Sequence, residues 1–224
     1  MTRVIGHRGA AGIAPENTLS GFETALEHDV DAVEFDVRRA ADGALVVCHD
    51  ETVDRTTDGA GAVGDHTAAE LASLDAGNGE GIPTVADVLE ALASTDVALQ
   101  IELKESGVAE DLLALLAERD LRDRAVLTSF DEDILESVAG TASETALLTA
   151  TVDARAFERA EALAVEYVCM DLENLDASTV RRAHDRELQI GFWSVNDRED
   201  IEAVLDSEAD VLSTDRPDRV AELR

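Results

Sequence analysis

Short apolar segments with the character of β-strands alternate with amphipathic helical segments, and this alternation limits the fold more than any other feature. The strand-like segments are rich in β-branched residues. They cover residues 3–7, 31–38, 97–104, 125–130, 145–149, 167–171, 188–195 and 210–215. The helical segments cover residues 17–28, 84–93, 108–119, 131–139, 154–164, 177–186, 198–207 and 217–224.

Strands that alternate with helices predict a parallel sheet, because a helical crossover returns the chain to the same end of the sheet. Eight such units predict an α/β fold of the TIM (β/α)8 barrel type, formed by a single domain over residues 1–224. A doubly wound open sheet is the structural alternative. The barrel would place its functional residues where the strands end, at the carboxyl face.

Residues 39–83 interrupt the alternation. Asp42-Gly43 predicts a hairpin turn, residues 44–50 read as an extra strand, and a glycine-rich excursion follows. Loops of this length inside a domain are usually functional. We therefore expect a short hairpin and insertion after the second strand, close to the site.

Two strands carry charged side chains on one face and apolar side chains on the other. In residues 31–38, Glu34 and Asp36 alternate with apolar residues, and in residues 97–104 the same is true of Glu102 and Lys104. Because successive strand side chains point to opposite faces, the apolar set should face the helices and the charged set the barrel interior.

Three carboxylates that point into one partly dry site need compensation, and a single lysine does not balance them. Either some of them are protonated, or a divalent cation lies between Glu34, Asp36 and Glu102. A set of oxygen ligands suits Mg²⁺ or Ca²⁺. The alternative without a metal is a network of buried ion pairs at the barrel mouth.

Two histidines lie at predicted strand ends beside these acids. His7 and Arg8 form part of "GHRG", and His49 closes the extra strand in "VCHD". Histidine pairs commonly carry acid–base chemistry near neutral pH. Arg8 and Lys104 suit an anionic ligand such as a phosphate. The remaining histidines, at positions 28, 66 and 184, fit structural roles better.

The charge balance excludes some partners. Fifty acidic residues stand against seventeen arginines and one lysine, Lys104, which gives a formal net charge of -32. Such a surface repels nucleic acids and anionic membranes. The near absence of lysine and the excess of acids predict a protein of a high-salt cytoplasm, because salt screens the repulsion. Disorder, the other explanation for an acidic chain, conflicts with the regular apolar pattern.

The remaining features also favour a cytoplasmic protein. Cys48 and Cys169 are far apart and predict free thiols rather than a disulfide. An apolar strand that begins at Val4 argues against a signal peptide. No apolar run reaches the length of a membrane span, so we expect no stable membrane association.

The sequence resembles the glycerophosphodiester phosphodiesterase family over nearly its whole length, through motifs that occur in order. These are "GHRGAAGIAPENT" (6–18), "AVEFDVR" (32–38), "DGALVVCHD" (42–50), "DRTTDGAG" (54–61), "IPTVADVLE" (82–90), "IELK" (101–104), "TSF" (128–130), "FWSVN" (192–196) and "STDRP" (213–217). Each motif alone is weak evidence of a family, but the ordered set is specific.

The resemblance implies a TIM barrel that hydrolyses glycerophosphodiesters to glycerol phosphate and an alcohol with one divalent cation, Mg²⁺ or Ca²⁺. It implies acid–base catalysis by a histidine pair, three metal ligands, four substrate-binding residues and one supporting residue. The histidine pair is His7 and His49, and the metal ligands are Glu34, Asp36 and Glu102. The substrate-binding residues are Arg8, Lys104, Asn17 and Trp193, and the supporting residue is Glu16. Trp193 could instead fill the barrel core.

Two other functions remain open at this point: a lysophospholipase D-like phosphodiesterase, and a non-catalytic binder of polyol phosphates. A metal-dependent barrel isomerase or aldolase also uses inward acids, but it leaves the two histidines unexplained. The sequence does not distinguish Mg²⁺ from Ca²⁺, nor a cyclic phosphate intermediate from direct attack by water. The head group, the stereochemistry of the product and the oligomeric state are not readable either.

Overall fold

Eight parallel strands close into a ring, and an additional strand lies outside it. The computed structural model describes residues 1–141, 143–150 and 155–223. The strands β1 to β9 are Arg3–Gly6, Ala32–Arg39, Leu45–Val47, Ala98–Leu103, Ala125–Ser129, Glu144–Thr149, Tyr167–Asp171, Gln189–Trp193 and Val211–Thr214. The order around the ring is β1-β9-β8-β7-β6-β5-β4-β2, and β1 pairs with β2 to close it.

Helices follow the strands of the ring and cover its outside. The helices α1 to α9 are Leu19–Leu26, Ala68–Leu71, Val85–Leu92, Ala109–Glu118, Glu132–Val138, Ala156–Leu163, Ala177–His184, Arg198–Asp206 and Pro217–Ala221. The predicted TIM barrel with an extra strand after the second strand is therefore confirmed. The predicted helical segments 154–164 and 217–224 begin and end, respectively, at residues outside the described part of the chain.

The two faces of β2 show why these residues form a barrel strand. Val33, Phe35 and Val37 are fully buried and belong to the main apolar core between the ring and the helices. Phe35 meets Phe22 of α1 edge to face, with ring centroids 5.9 Å apart. The alternate residues of β2 point into the ring. Apolar burial on one face thus fixes which side chains reach the interior.

The first helix begins later than the sequence predicted. Asn17 adopts a left-handed backbone conformation with φ 58°, and the Thr18 side chain caps α1 by accepting a hydrogen bond from the Gly21 amide. Left-handed geometry is compatible with asparagine but not with a continuing helix. The predicted start at residue 17 was wrong by two positions, and residues 15–18 form a turn at the barrel mouth.

The excursion between β2 and α3 has a small core of its own. β3 pairs antiparallel with β2 through the predicted hairpin, where Gly43 has φ 89°. Val46, Val53, Leu71 and Ile82 are buried together beneath it. The sequence predicted an extended glycine-rich loop here, but the structure also contains α2, which begins at a Thr67–Glu70 capping box.

The acidic charge lies on the surface. Within the described residues, Glu34, Asp36 and Glu102 are the buried carboxylates, so the rest of the excess negative charge lies in partly or fully exposed positions. The helices of the same residue ranges are all too short or too polar to cross a lipid bilayer. Repulsion among these exposed carboxylates is the main electrostatic interaction that destabilises the folded state.

We expect the midpoint of thermal unfolding to rise by about 10 °C or more between about 0.1 M and 2 M KCl, because screening removes repulsion among exposed carboxylates. Circular dichroism against temperature measures this directly. Sucrose at equal osmolarity serves as the control, because it favours burial without screening charge. A midpoint that is unchanged by KCl, or that rises as much in sucrose, would contradict an electrostatic origin.

Candidate active site

The carboxyl ends of β1, β2, β3, β4 and β8 meet at one mouth of the barrel, where a cavity of about 260 Å³ opens. Its lining includes His7, Glu34, His49, Glu102 and Trp193. These residues come from distant parts of the sequence, and ring closure brings them together. The sequence predicted this face because parallel barrels carry their functional side chains at the strand ends.

Three carboxylates form the acidic centre of the cavity. One oxygen from each of Glu34, Asp36 and Glu102 lies within 4.8 Å of the others. Asp36 and Glu102 occupy paired positions on neighbouring strands, which explains why their side chains point the same way. We call these three residues the carboxylate trio.

Without a bound cation, burial and mutual repulsion make it unfavourable for all three residues of the trio to be ionised. Burial and the charge of Asp36 raise the pKa of Glu34 to about 8. Burial and the same aspartate also raise the pKa of Glu102. Burial acts to raise the pKa of Asp36 too, but Lys104 and Arg8 outweigh it and the pKa falls. One more positive charge among these oxygens would stabilise all three as carboxylates.

The trio fits a hard divalent cation. Asp36 Oδ1 is buried and has no hydrogen-bond partner within the described residues, and its nearest cation is Lys104 Nζ at 3.5 Å. Oxygen ligands that are deprived of water and converge on one point suit Mg²⁺ or Ca²⁺. Glu34, Asp36 and Glu102 could therefore hold such an ion, as the sequence predicted.

His7 is anchored from the last strand of the barrel. Its Nδ1 lies 2.7 Å from Asp215 Oδ1, and the other oxygen of Asp215 accepts a 2.6 Å hydrogen bond from the Asn196 side chain. His7 Nε2 faces Glu34 at 3.9 Å. Burial acts to lower the pKa of His7, but Asp215 and Glu34 outweigh it and the pKa is raised.

His49 has a second aspartate partner. Its Nδ1 lies 2.6 Å from Asp50 Oδ1, and the imidazole is half-buried. Burial, together with the charges of Arg8 and Lys104, lowers the pKa of His49 against the opposing effect of Asp36 and Asp50. In both histidines the contact with aspartate occupies Nδ1, which leaves Nε2 as the nitrogen available for proton transfer.

Arg8 and Lys104 supply the positive charge. Arg8 has a left-handed backbone with φ 49°, and its amide donates a 2.7 Å hydrogen bond to Glu34 Oε2. Its guanidinium donates to Glu16 at 3.0 Å and lies 3.6 Å from Asp36. Lys104 Nζ donates to Glu102 at 2.6 Å. These two cations face the trio, where an anionic substrate would gain from them.

The other predicted residues occupy different surroundings. Asn17 is buried, and its side-chain amide donates a 2.8 Å hydrogen bond to Asp36 Oδ2, so it contacts the trio directly. Trp193 lines the cavity, and its indole N–H is buried without a hydrogen-bond partner in the described structure. Its ring meets Phe130 edge to face at 5.6 Å. Trp193 also packs against the apolar cluster inside the ring, so it both borders the cavity and contacts that core.

Several residues of the site were not predicted. Asp215 and Asn196 hold His7, Asp50 holds His49, and Phe130 completes the aromatic wall. Asp215 follows β9 directly and Asp50 lies three residues after β3, and a position close behind a strand was a usable signal. Asp50 is the sequence neighbour of His49, whereas Asp215 reaches His7 only because β1 pairs with β9, which no local pattern reveals.

Comparison with known proteins gives a consistent result. The sequence model of the glycerophosphoryl diester phosphodiesterase family matches residues 7–219. A glycerophosphodiester phosphodiesterase of Caldanaerobacter subterraneus subsp. tengcongensis is 33% identical over 236 aligned residues, which cover 99% of this chain and 97% of that protein. One of Bacillus altitudinis is 30% identical and covers 100% and 98%.

Solved structures agree with these relatives. A glycerophosphodiester phosphodiesterase of Agrobacterium tumefaciens superposes with a TM-score of 0.88 at 29% identity, covering 99% of this chain and 100% of that one. A phosphodiesterase of Oleispira antarctica, solved with the product sn-glycerol-3-phosphate, gives a TM-score of 0.89 at 27% identity and covers 100% and 96%.

Proposed function

The chain belongs to the glycerophosphoryl diester phosphodiesterase family, and we propose that it hydrolyses small glycerophosphodiesters to a glycerol phosphate and an alcohol by acid–base catalysis of His7 and His49. The observation that carries this proposal is the joint placement of two aspartate-anchored histidines and the carboxylate trio around one cavity. We also propose that residues 1–224 act as one domain.

The cationic side chains of Arg8 and Lys104 would bind the phosphate of the substrate. Arg8 presents a planar guanidinium, which suits two phosphate oxygens, and Lys104 adds a compact charge. A divalent cation held by Glu34, Asp36 and Glu102 would neutralise charge that develops on the phosphate. Trp193 and Phe130 would border the organic part of the substrate with an apolar wall.

His7 and His49 would transfer the protons of the reaction. One imidazole takes the proton of the attacking hydroxyl as its oxygen bonds to phosphorus, and the other gives a proton to the leaving alkoxide as the ester bond breaks. If water attacks, the products form in one step. If the neighbouring glycerol hydroxyl attacks, a cyclic phosphate forms and water then opens it, with the histidines exchanging roles. Asp215 and Asp50 keep each ring in a fixed orientation.

The choice of substrate rests on the relatives and the cavity. Relatives that span the chain are named glycerophosphodiester phosphodiesterases, and a similar structure holds sn-glycerol-3-phosphate. A cavity of about 260 Å³ suits a small diester better than a lipid with an acyl chain. We extend the proposal to a high-salt cytoplasm, where the acidic surface would be screened.

The test is release of glycerol phosphate from glycerophosphocholine and glycerophosphoethanolamine in concentrated KCl, with Mg²⁺, with Ca²⁺ and with excess chelator. We expect release with at least one of the two ions and a loss of activity in chelator. Lysophosphatidylcholine micelles form the parallel arm. Faster cleavage of lysophosphatidylcholine, measured as released choline because that diester leaves lysophosphatidate rather than glycerol phosphate, would favour the lysophospholipase D-like alternative, and no cleavage of any diester by folded protein would favour a non-catalytic binder.

A further inference from the structure

Arg55 connects two parts of the site without lining the cavity. It lies in the excursion after β3, and its side chain is 47% exposed. Its Nε donates to Asp50 Oδ2 at 2.5 Å, and its two terminal nitrogens donate to the two oxygens of Glu16 at 2.7 and 2.8 Å. One guanidinium thus binds two carboxylates through three hydrogen bonds.

Each of these carboxylates holds a side chain of the proposed machinery. Asp50 uses its other oxygen to contact His49 Nδ1 at 2.6 Å, and Glu16 accepts a 3.0 Å hydrogen bond from Arg8. The contacts form a continuous chain from His49 through Asp50, Arg55 and Glu16 to Arg8. We call this chain the Arg55 bridge. It joins the loop after β1 to the loop after β3.

The bridge requires an arginine on physical grounds. Asp50 and Glu16 would repel each other at the mouth of a strongly acidic protein if no cation lay between them. A planar guanidinium reaches both carboxylates in fixed directions, whereas a lysine ammonium is a single point charge that cannot hold two of them in this geometry. Because the pairs are short and linked, they resist screening better than isolated surface pairs.

We infer that Arg55 is a positioning residue, which holds Asp50 so that His49 keeps its catalytic orientation and holds Glu16 so that Arg8 stays beside the phosphate site. This inference rests on the proposed function, because the orientation of His49 matters to turnover only if His49 transfers protons. It also gives the excursion a role in the chemistry beyond covering the cavity.

The first test compares Arg55→Lys and Arg55→Met with wild type in concentrated KCl. We expect both variants to lose about 10-fold to 100-fold in kcat, with a smaller change in KM, because partners of this kind orient the reacting groups. Arg39→Met is the matched control. Arg39 is also partly exposed and also joins separate loops, through Gly43, Gly107 and Asp111. Its loss should lower the unfolding temperature comparably but change kcat by less than about two-fold.

The second test is a double-mutant cycle with Asp50→Asn. Because Asp50 is the route from Arg55 to His49, most of the effect on kcat should pass through it, and Arg55→Met should lower kcat by less than about three-fold further in that background, the remainder being the part that passes through Glu16 to Arg8. Full multiplication of the two effects, near-normal kcat in Arg55→Lys, or a kcat loss that Arg39→Met reproduces would each overturn the inference. An active wild type with an inactive His49→Ala variant would leave the proposed function standing in all three cases.

Discussion

Replacing His7 or His49 by alanine is expected to lower kcat for glycerophosphocholine about 10²-fold to 10⁴-fold, the usual range for removal of a general acid or base. In the proposed mechanism each imidazole handles a different proton, so neither can substitute for the other. Both variants should fold, because each ring borders an open cavity rather than filling the core. Steady-state kinetics together with thermal unfolding would measure both properties.

His184→Ala is the matched control for these variants. His184 makes the same kind of contact, with its Nε2 2.9 Å from Asp210, but it lies on α7 and does not line the cavity. We expect its replacement to leave kcat within about two-fold of wild type, as is usual for partly exposed positions outside a site. A near-normal rate in either His7→Ala or His49→Ala would refute the paired-histidine mechanism.

The parts of the site that could be predicted are those set by local periodicity. Alternation of Glu34 and Asp36 with Phe35 and its apolar neighbours fixes the inward face, because only the apolar face can pack against helices. The same logic applied to Glu102. The structure brings these acids together because β2 and β4 are neighbours in the ring, in the register that pairs Asp36 with Glu102.

The parts that could not be predicted depend on distant pairings or on exposed ion pairs. Asp215 meets His7 across 208 positions of sequence, and that contact exists only because the ring closes between β9 and β1. In the sequence, Arg55 is one arginine in a polar loop, and no pattern indicates that Asp50 and Glu16 share it as a partner. By contrast, helix α2 could have been found from Thr67 and Glu70, whose spacing is that of a capping box.

Lys104 shows how composition and structure inform each other. In a chain with a single lysine, this side chain lies 2.6 Å from Glu102 and 3.5 Å from Asp36. A surface lysine gains little from any one position, whereas a cation among buried acids offsets their repulsion directly. The residue is therefore placed where its charge has the largest effect, and it still leaves the trio short of full compensation.

Because Lys104 does not fully compensate the charge of the trio, we expect divalent cations to have a large effect on the stability of the folded protein. Addition of Mg²⁺ or Ca²⁺ at about 100 times its dissociation constant should stabilise the folded protein by about 2.7 kcal/mol, since binding to the folded state alone shifts the unfolding equilibrium. For a chain of this size, that corresponds to a rise of about 5–10 °C in the unfolding midpoint. Differential scanning calorimetry in concentrated KCl would measure it, with chelator-treated protein as the reference.

Glu34→Gln separates metal binding from general charge screening. Without metal, this variant should melt above chelated wild type, because burial and Asp36 oppose ionisation of Glu34 and raise its pKa to about 8. Glutamine keeps the shape but removes the charge, so the variant should lose both the metal-induced rise and the activity. Glu161→Gln, on the exposed side of α6, should keep both. An equal metal-induced rise in Glu34→Gln, or none in wild type, would show that the trio does not bind the ion.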